Sequence, residues 1–223
     1  MGKLIVLEGT DGSGKSTQFK LLCGRLEKEG RAFHRLVYPR YDKPSSTLLK
    51  MYLQGEFGTH PGDVNAYAAS TFYAVDRYAS WKQDWQEPYE RGGLFLADRY
   101  TTSIAVHQGG QLSEAERAEF FAWLGDFEYG RLGLPKPDLV IWLDIPTERA
   151  VENLRRRERD THTQADIHEV DEDYLRLCRQ SAQAAAQTFG WRRVACLDQA
   201  GAMRSMEDIH SEIWALAEPL IQG

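Results

Sequence analysis

Five short apolar runs, separated by stretches with helical spacing, lay out the plan of the chain. The runs "LIVLE" (4–8), "AFHRLVY" (32–38), "LFLAD" (94–98), "DLVIWLD" (138–144) and "RRVACLD" (192–198) predict strands. The third follows the Gly92-Gly93 break, and the fourth follows "LPKPD", whose prolines exclude a helix. Between them the period changes. Phe19, Leu22, Cys23 and Leu26 fall at i, i+3, i+4 and i+7, one apolar helix face, with Gly30 as a stop. Further helices are predicted over 63–83, from Ser113 (with Glu116 three residues on, a capping-box pattern), over 171–189, and from Ser205. The last carries Ile209, Ile213, Leu216 and Leu220 on one face. Strands alternating with helices predict an α/β fold, a five-stranded parallel sheet covered on both faces, with ligands beyond the carboxyl ends of the strands. No repeat, low-complexity tract or linker divides the sequence, so residues 1–223 read as one domain.

The segment between the first strand and the first helix is poor in side chains until its end. In "GTDGSGKST" (9–17), Gly9, Gly12 and Gly14 free the backbone for tight turns and close approach to a ligand. The spacing Gly9-x-x-x-x-Gly14-Lys15-Ser16 fits a phosphate-binding loop. Backbone N–H groups from Gly9, Thr10, Asp11, Gly12, Ser13, Gly14 and the following Lys15, Ser16 and Thr17 would ring the phosphates of ATP. Lys15 would reach the terminal oxygens and Ser16 would hold Mg²⁺. The helix that follows adds its positive end to the same anion site. The plain alternative, a glycine-rich turn, explains neither the lysine nor the paired hydroxyls.

Composition narrows the partners. The 223 residues carry a net charge of −6 and a pI of about 5.6, with no long basic stripe. Nucleic acid is not an expected partner, because phosphate contacts along a duplex need clustered Lys and Arg. No run of eighteen apolar residues and no signal-peptide pattern occurs, so no membrane contact is expected and the location is read as cytoplasmic. Cys23, Cys178 and Cys196 are far apart and share no metal-ligand spacing, which reads as buried thiols.

A phosphate loop alone serves switches, motors and kinases. A small-molecule kinase also needs a second anion pocket and a mobile cationic segment. Arg40, Arg77 and Arg99 sit in or after site-facing segments, and Arg155, Arg156, Arg157 and Arg159 crowd into "NLRRRERDTHT". Taken alone, such a run also describes a solvated helix face, and Arg77 a surface residue. The motifs together resemble the thymidylate kinases, a family of nucleoside monophosphate kinases. "LEGTDGSGKSTQ" is similar to that family's loop, "YPRYDKPSS" to its Phe-Pro-x-Arg segment, and "FYAVDR" to its aromatic four residues before an arginine. "ADRYTTSIAVHQGG" is similar to its Asp-Arg-Tyr segment and "GLPKPDLVIWLD" to the strand that leads to its lid.

The resemblance implies ATP as donor and a deoxynucleoside 5′-monophosphate, dTMP, as acceptor, on the pathway to dTTP. It implies that Arg40 and Arg99 hold the acceptor phosphate, that Tyr73 stacks on the base and that Arg77 contacts the base edge. Asp11 would accept from the sugar 3′-hydroxyl, and Asp98 would orient the metal's water or Arg99. The loop has Gly12-Ser13 where some members carry an arginine. The transition-state charge would then come from a lid at about 155–170, with Arg157 first and Arg155 second. Glu169 or Asp166 would order these arginines in the open state. A homodimer through helix faces is also implied. The aromatics of 63–85, Trp81 and Trp85 among them, would either supply that face or fill the subunit's own core.

Three departures bear on specificity. Arg40 directly follows Pro39, one residue earlier than the usual spacing. Ile104, following Ser103, stands where some members have a polar base-reading residue, and Gln108 is the substitute. His107 stands where an aromatic guards against a ribose 2′-hydroxyl. No catalytic histidine is expected, since the attacking phosphate is already mostly ionised at pH 7. His34, His60, His162, His168 and His210 read as structural or surface residues. Two rival readings fit the same motifs: a deoxynucleoside kinase, which would need a carboxylate base for a neutral hydroxyl, and a non-catalytic nucleotide-binding regulator.

Overall fold

The computed structural model describes residues 1–58, 60–161 and 172–222. Its five strands are β1 (Lys3–Glu8), β2 (His34–Val37), β3 (Leu94–Asp98), β4 (Leu139–Asp144) and β5 (Arg192–Ala195). They form one sheet in the order β2-β3-β1-β4-β5, and every neighbouring pair is parallel. β1, β3 and β4 read as unbroken apolar runs because both of their faces are covered. Their side chains alternate between two cores. Ile5, Leu7, Leu96, Ile141 and Leu143 face α1 (Lys15–Lys28) and the C-terminal helix at Met206–Gln222. Leu4, Val6, Phe95, Ala97, Val140 and Trp142 face the opposite layer.

That second layer holds most of the helices. α2 (Thr47–Leu53) and α3 (Ala66–Ser80) precede β3; a π turn at Trp81–Trp85 leads from α3 into α4 (Gln86–Glu90). α5 (Thr102–His107), α6 (Glu114–Gly125) and a second π turn at Asp126–Arg131 follow. α7 (Thr147–Thr161) and α8 (Glu172–Phe189) flank β4 and β5, and α9 is Met206–Gln222.

The predicted elements are present, with shifted ends. The helix read over 63–83 starts at Ala66, because the Asn65 side chain caps it by accepting from the Ala68 N–H at 2.9 Å. Its far end passes into the π turn, which turns Trp81 and Trp85 inward against Tyr89 and Phe95. These tryptophans fill the subunit's own core. Ser113 caps α6 with the reciprocal Glu116 bond, as its spacing predicts. The strand read over 192–198 ends at Ala195. α2 and the almost wholly buried α5 are short helices that periodicity does not separate from loop, and α7 occupies the charged stretch read as the start of the lid. Residues 162–171, with His162, Asp166, His168 and Glu169, lie outside the described residues.

Candidate active site

The phosphate loop leaves the carboxyl end of β1, the sheet's middle strand. Gly12 (φ 79°) and Gly14 (φ 84°) have left-handed backbones. At Gly12 a Cβ would sit 2.2 Å from the Ala150 carbonyl oxygen, so α7 packs directly on the loop. Asn153 of α7 reinforces that contact, its Nδ2 donating to the Gly12 carbonyl at 2.8 Å.

Lys15 follows the loop and is buried. Its Nζ donates to Asp98 Oδ1 at 2.6 Å, and Ser16 Oγ donates to the other Asp98 oxygen at 3.3 Å. Burial lowers the Lys15 pKa, Arg99 acts in the same direction, and Asp98 and Glu8 oppose them. Arg99, the next residue after Asp98, takes φ 67°, an uncommon backbone for a residue with a side chain. Its guanidinium pairs with Asp11, and its Nη1 lies 2.8 Å from His107 Nε2. Burial alone would lower the Arg99 pKa, but Asp11, Glu8 and Asp98 outweigh it and the pKa is raised.

Two clefts meet at these residues. One, of about 320 Å³, is lined by Tyr38, Tyr73, Arg77, Arg99, Ser103, Ile104, His107 and Gln108. The other, of about 450 Å³, runs over Thr10–Gln18 under Asn153, Arg156, Arg157 and Asp160, and on to Met203 and Arg204. Asp11, Lys15 and Ser16 line both. A molecule in each cleft would meet the other head to head at the lysine.

A family model described as thymidylate kinase matches residues 7–213. The chain belongs to the thymidylate kinase family. A thymidylate kinase of Mycobacterium tuberculosis is 34% identical over 192 residues, covering 85% of this chain and 88% of that one. A probable thymidylate kinase of Pyrococcus horikoshii is 31% identical over 230 residues, covering 100% and 98%. The solved structure of the thymidylate kinase from Candida albicans shares the fold, with a TM-score of 0.71 at 21% identity over 98% of this chain and 92% of that one. The protein is therefore an enzyme, a kinase that takes dTMP to dTDP with ATP as the family's phosphate donor.

The kinase does not bring every expected residue to the clefts. Arg40, expected at the acceptor phosphate, is turned to α3. Its Nε donates to Asp76 Oδ1 at 3.2 Å, Nη2 to Ser45 Oγ at 3.1 Å, and Nη1 to Asp84, while the flanking Pro39 and Tyr41 line the cleft. The reason is charge: Asp76 is buried and accepts both the Arg40 backbone N–H and its side chain. Arg77 lines the 320 Å³ cleft but is almost wholly buried, its Nε and Nη2 held by the two oxygens of fully buried Glu128. Burial pushes the Arg77 pKa down and Glu128 more than offsets this, so it is raised. Arg157 lines the cleft over the phosphate loop, whereas Arg155 Nη2 donates to Glu172 at 2.7 Å across to the start of α8. Gln108 is fully buried, with Oε1 accepting from Gln111 Nε2 at 2.8 Å.

The residues that sequence reasoning missed are buried carboxylates and α7 contacts. Glu8 left a signal, an acid closing the apolar run "LIVLE". Glu128 and Asn153 left none, since they reach the site through a π turn and a helix packing. The three thiols are buried and free, and burial pushes Cys23 and Cys196 up to about 11 and Cys178 up to about 12. They stay protonated and unreactive at neutral pH.

Proposed function

We propose that the kinase binds ATP on Gly9–Thr17 and dTMP in the cleft between Tyr73 and Arg99, and transfers the γ-phosphoryl group directly between them. The observation that carries this reading is the meeting of the two clefts at Asp11, Lys15 and Ser16. The chief obstacle is repulsion between polyanions, about 4 kcal/mol for two unit charges 4 Å apart at an effective dielectric of 20. Buried Lys15 and half-buried Arg99 supply positive charge at the junction, and Arg157 adds it from α7. Asp98 and Asp11 hold Lys15 and Arg99 in place in the meantime. Tyr73 stacks on the base. Because Glu128 takes Nε and Nη2 of Arg77, the base edge meets its Nη1, a donor suited to a carbonyl oxygen. Ser103, His107 and Gln108 line the cleft beside it.

Mg²⁺ needs few protein ligands and prefers hard oxygens, and the adjacent Ser16 hydroxyl and Asp98 carboxylate fit that demand. Held by Ser16 and Asp98, such an ion would supply positive charge against the phosphates of the donor. The physiological role is dTTP supply in the cytoplasm; among the described residues no helix is long and apolar enough to cross a membrane. The working unit is a homodimer. Val75 and Tyr78, exposed on α3, and Leu48, exposed on α2, are the apolar side chains that favour a helix-face contact.

The test is a coupled assay of ADP release with ATP and a panel of deoxy- and ribonucleoside monophosphates, with thymidine as a separate arm. Transfer to dTMP above all other acceptors is the expected result. ATP binding with no transfer to any monophosphate, or transfer to thymidine instead, overturns the reading. Sedimentation of the wild type against Tyr78→Glu checks the dimer.

A further inference from the structure

We infer that Glu8 is a positioning residue that holds the acceptor helix α5 at a set distance from the phosphate loop. The inference rests on the reading of the two clefts as donor and acceptor sites. β1 and β3 are paired from Lys3↔Leu94 to Leu7↔Asp98. There they part, β1 into the loop and β3 into the turn that carries Arg99. At the mouth of the opening the Glu8 side chain bridges the two segments, beside the Lys15–Asp98 and Asp11–Arg99 pairs. Glu8 Oε1 accepts from the Gly9 N–H at 2.9 Å; Oε2 accepts from Thr102 Oγ1 and Ser103 Oγ, each at 2.7 Å. Its carboxylate is fully buried, which is costly unless its oxygens are bonded, and three donors meet that need.

The last two residues of β1 therefore hold both ends of the Arg99 turn. The Arg99 N–H donates to the Leu7 carbonyl at 3.4 Å, and Glu8 holds Thr102 and Ser103 at the other end. Within the turn, the Ser103 N–H donates to the Tyr100 carbonyl at 3.1 Å. The left-handed backbone at Arg99 is kept by this two-point attachment. Glu8 is not among the residues that line either cleft; it acts through Gly9 on the donor side and through α5 on the acceptor side. Direct transfer depends on the separation of the reacting atoms, where a 1 Å misplacement can cost about 10²-fold. Attack by water on ATP needs only the donor side.

The experiment compares transfer to dTMP with the slow hydrolysis of ATP in its absence, in the wild type, Glu8→Ala, Thr102→Val and Thr102→Ser. The transfer-to-hydrolysis ratio is expected to fall at least tenfold in Glu8→Ala and at least threefold in Thr102→Val. Hydrolysis itself should stay within twofold in Thr102→Val. Thr102→Ser, which keeps the hydroxyl, should restore the ratio to within twofold of the wild type. Thr102→Val is the arm to read if Glu8→Ala does not fold. A wild-type ratio in Thr102→Val, or transfer and hydrolysis falling together, overturns the inference, since general loss of structure lowers both. A wild type that hydrolyses ATP but transfers to no monophosphate overturns the functional reading instead, whatever the variants do.

Discussion

Lys15 Nζ lies 2.6 Å from Asp98 Oδ1, so the cation at the junction of the clefts is held by a carboxylate from the neighbouring strand. The pair puts opposite demands on the lysine. Burial favours its neutral form, and Asp98 favours the ammonium that phosphates require.

A pH dependence follows from those signs. The ammonium is the active form, so kcat/KM falls as pH rises through the Lys15 pKa, which lies below the ordinary lysine value of 10.5. Asp98→Asn removes a partner that raises that pKa, and the alkaline limb moves to lower pH. A limb that moves upward refutes the pairing as the control on Lys15. Lys15→Met is expected to lower kcat by about 10²- to 10³-fold.

The two lid arginines separate in their expected effects. Arg157 faces the donor cleft, so Arg157→Ala lowers kcat by about 10³-fold with little change in the dTMP KM. Arg155 is paired with Glu172 on an exposed surface, so Arg155→Ala changes kcat by less than about threefold. Steady-state kinetics of the two single variants and the double variant decide between them; a double variant with wild-type kcat removes the lid from the mechanism.

Arg77 and Glu128 behave as a buried pair. Glu128→Ala leaves a guanidinium without its counter-charge in the core and costs about 3–5 kcal/mol of stability. Thr101 loses an acceptor at 2.6 Å in the same change. Urea denaturation measures the loss, and a change under 1 kcal/mol speaks against the pair. The conservative Glu128→Gln keeps the fold but loosens Arg77, which shows as a raised dTMP KM with the ATP KM unchanged.

Gly12→Ala tests the packing of α7 on the loop. The added Cβ has no room beside the Ala150 carbonyl, and the left-handed backbone adds about 1–2 kcal/mol of strain. Titration with a non-hydrolysable ATP analogue should show at least tenfold weaker binding. Asn153→Ala, which removes one bond and adds no clash, should weaken it less.

The sequence by itself determined the strands, the loop and, through its separate motifs, the family, because each of these signals is local. Apolar runs of strand length, a glycine spacing with Lys15 and Ser16 at its end, and a capping pattern at Ser113 all act within a few residues of themselves. Only the tertiary structure decided which charges line the clefts. Arg40 and Arg155 look as available as Arg99 and Arg157 along the chain, yet Asp76 and Glu172 draw them aside. Glu8 and Glu128 look like ordinary acids, yet they lie fully buried where distant segments converge. Coulomb attraction and the cost of burying an unpaired charge act through space between residues up to 95 positions apart in these bonds, which no local pattern records.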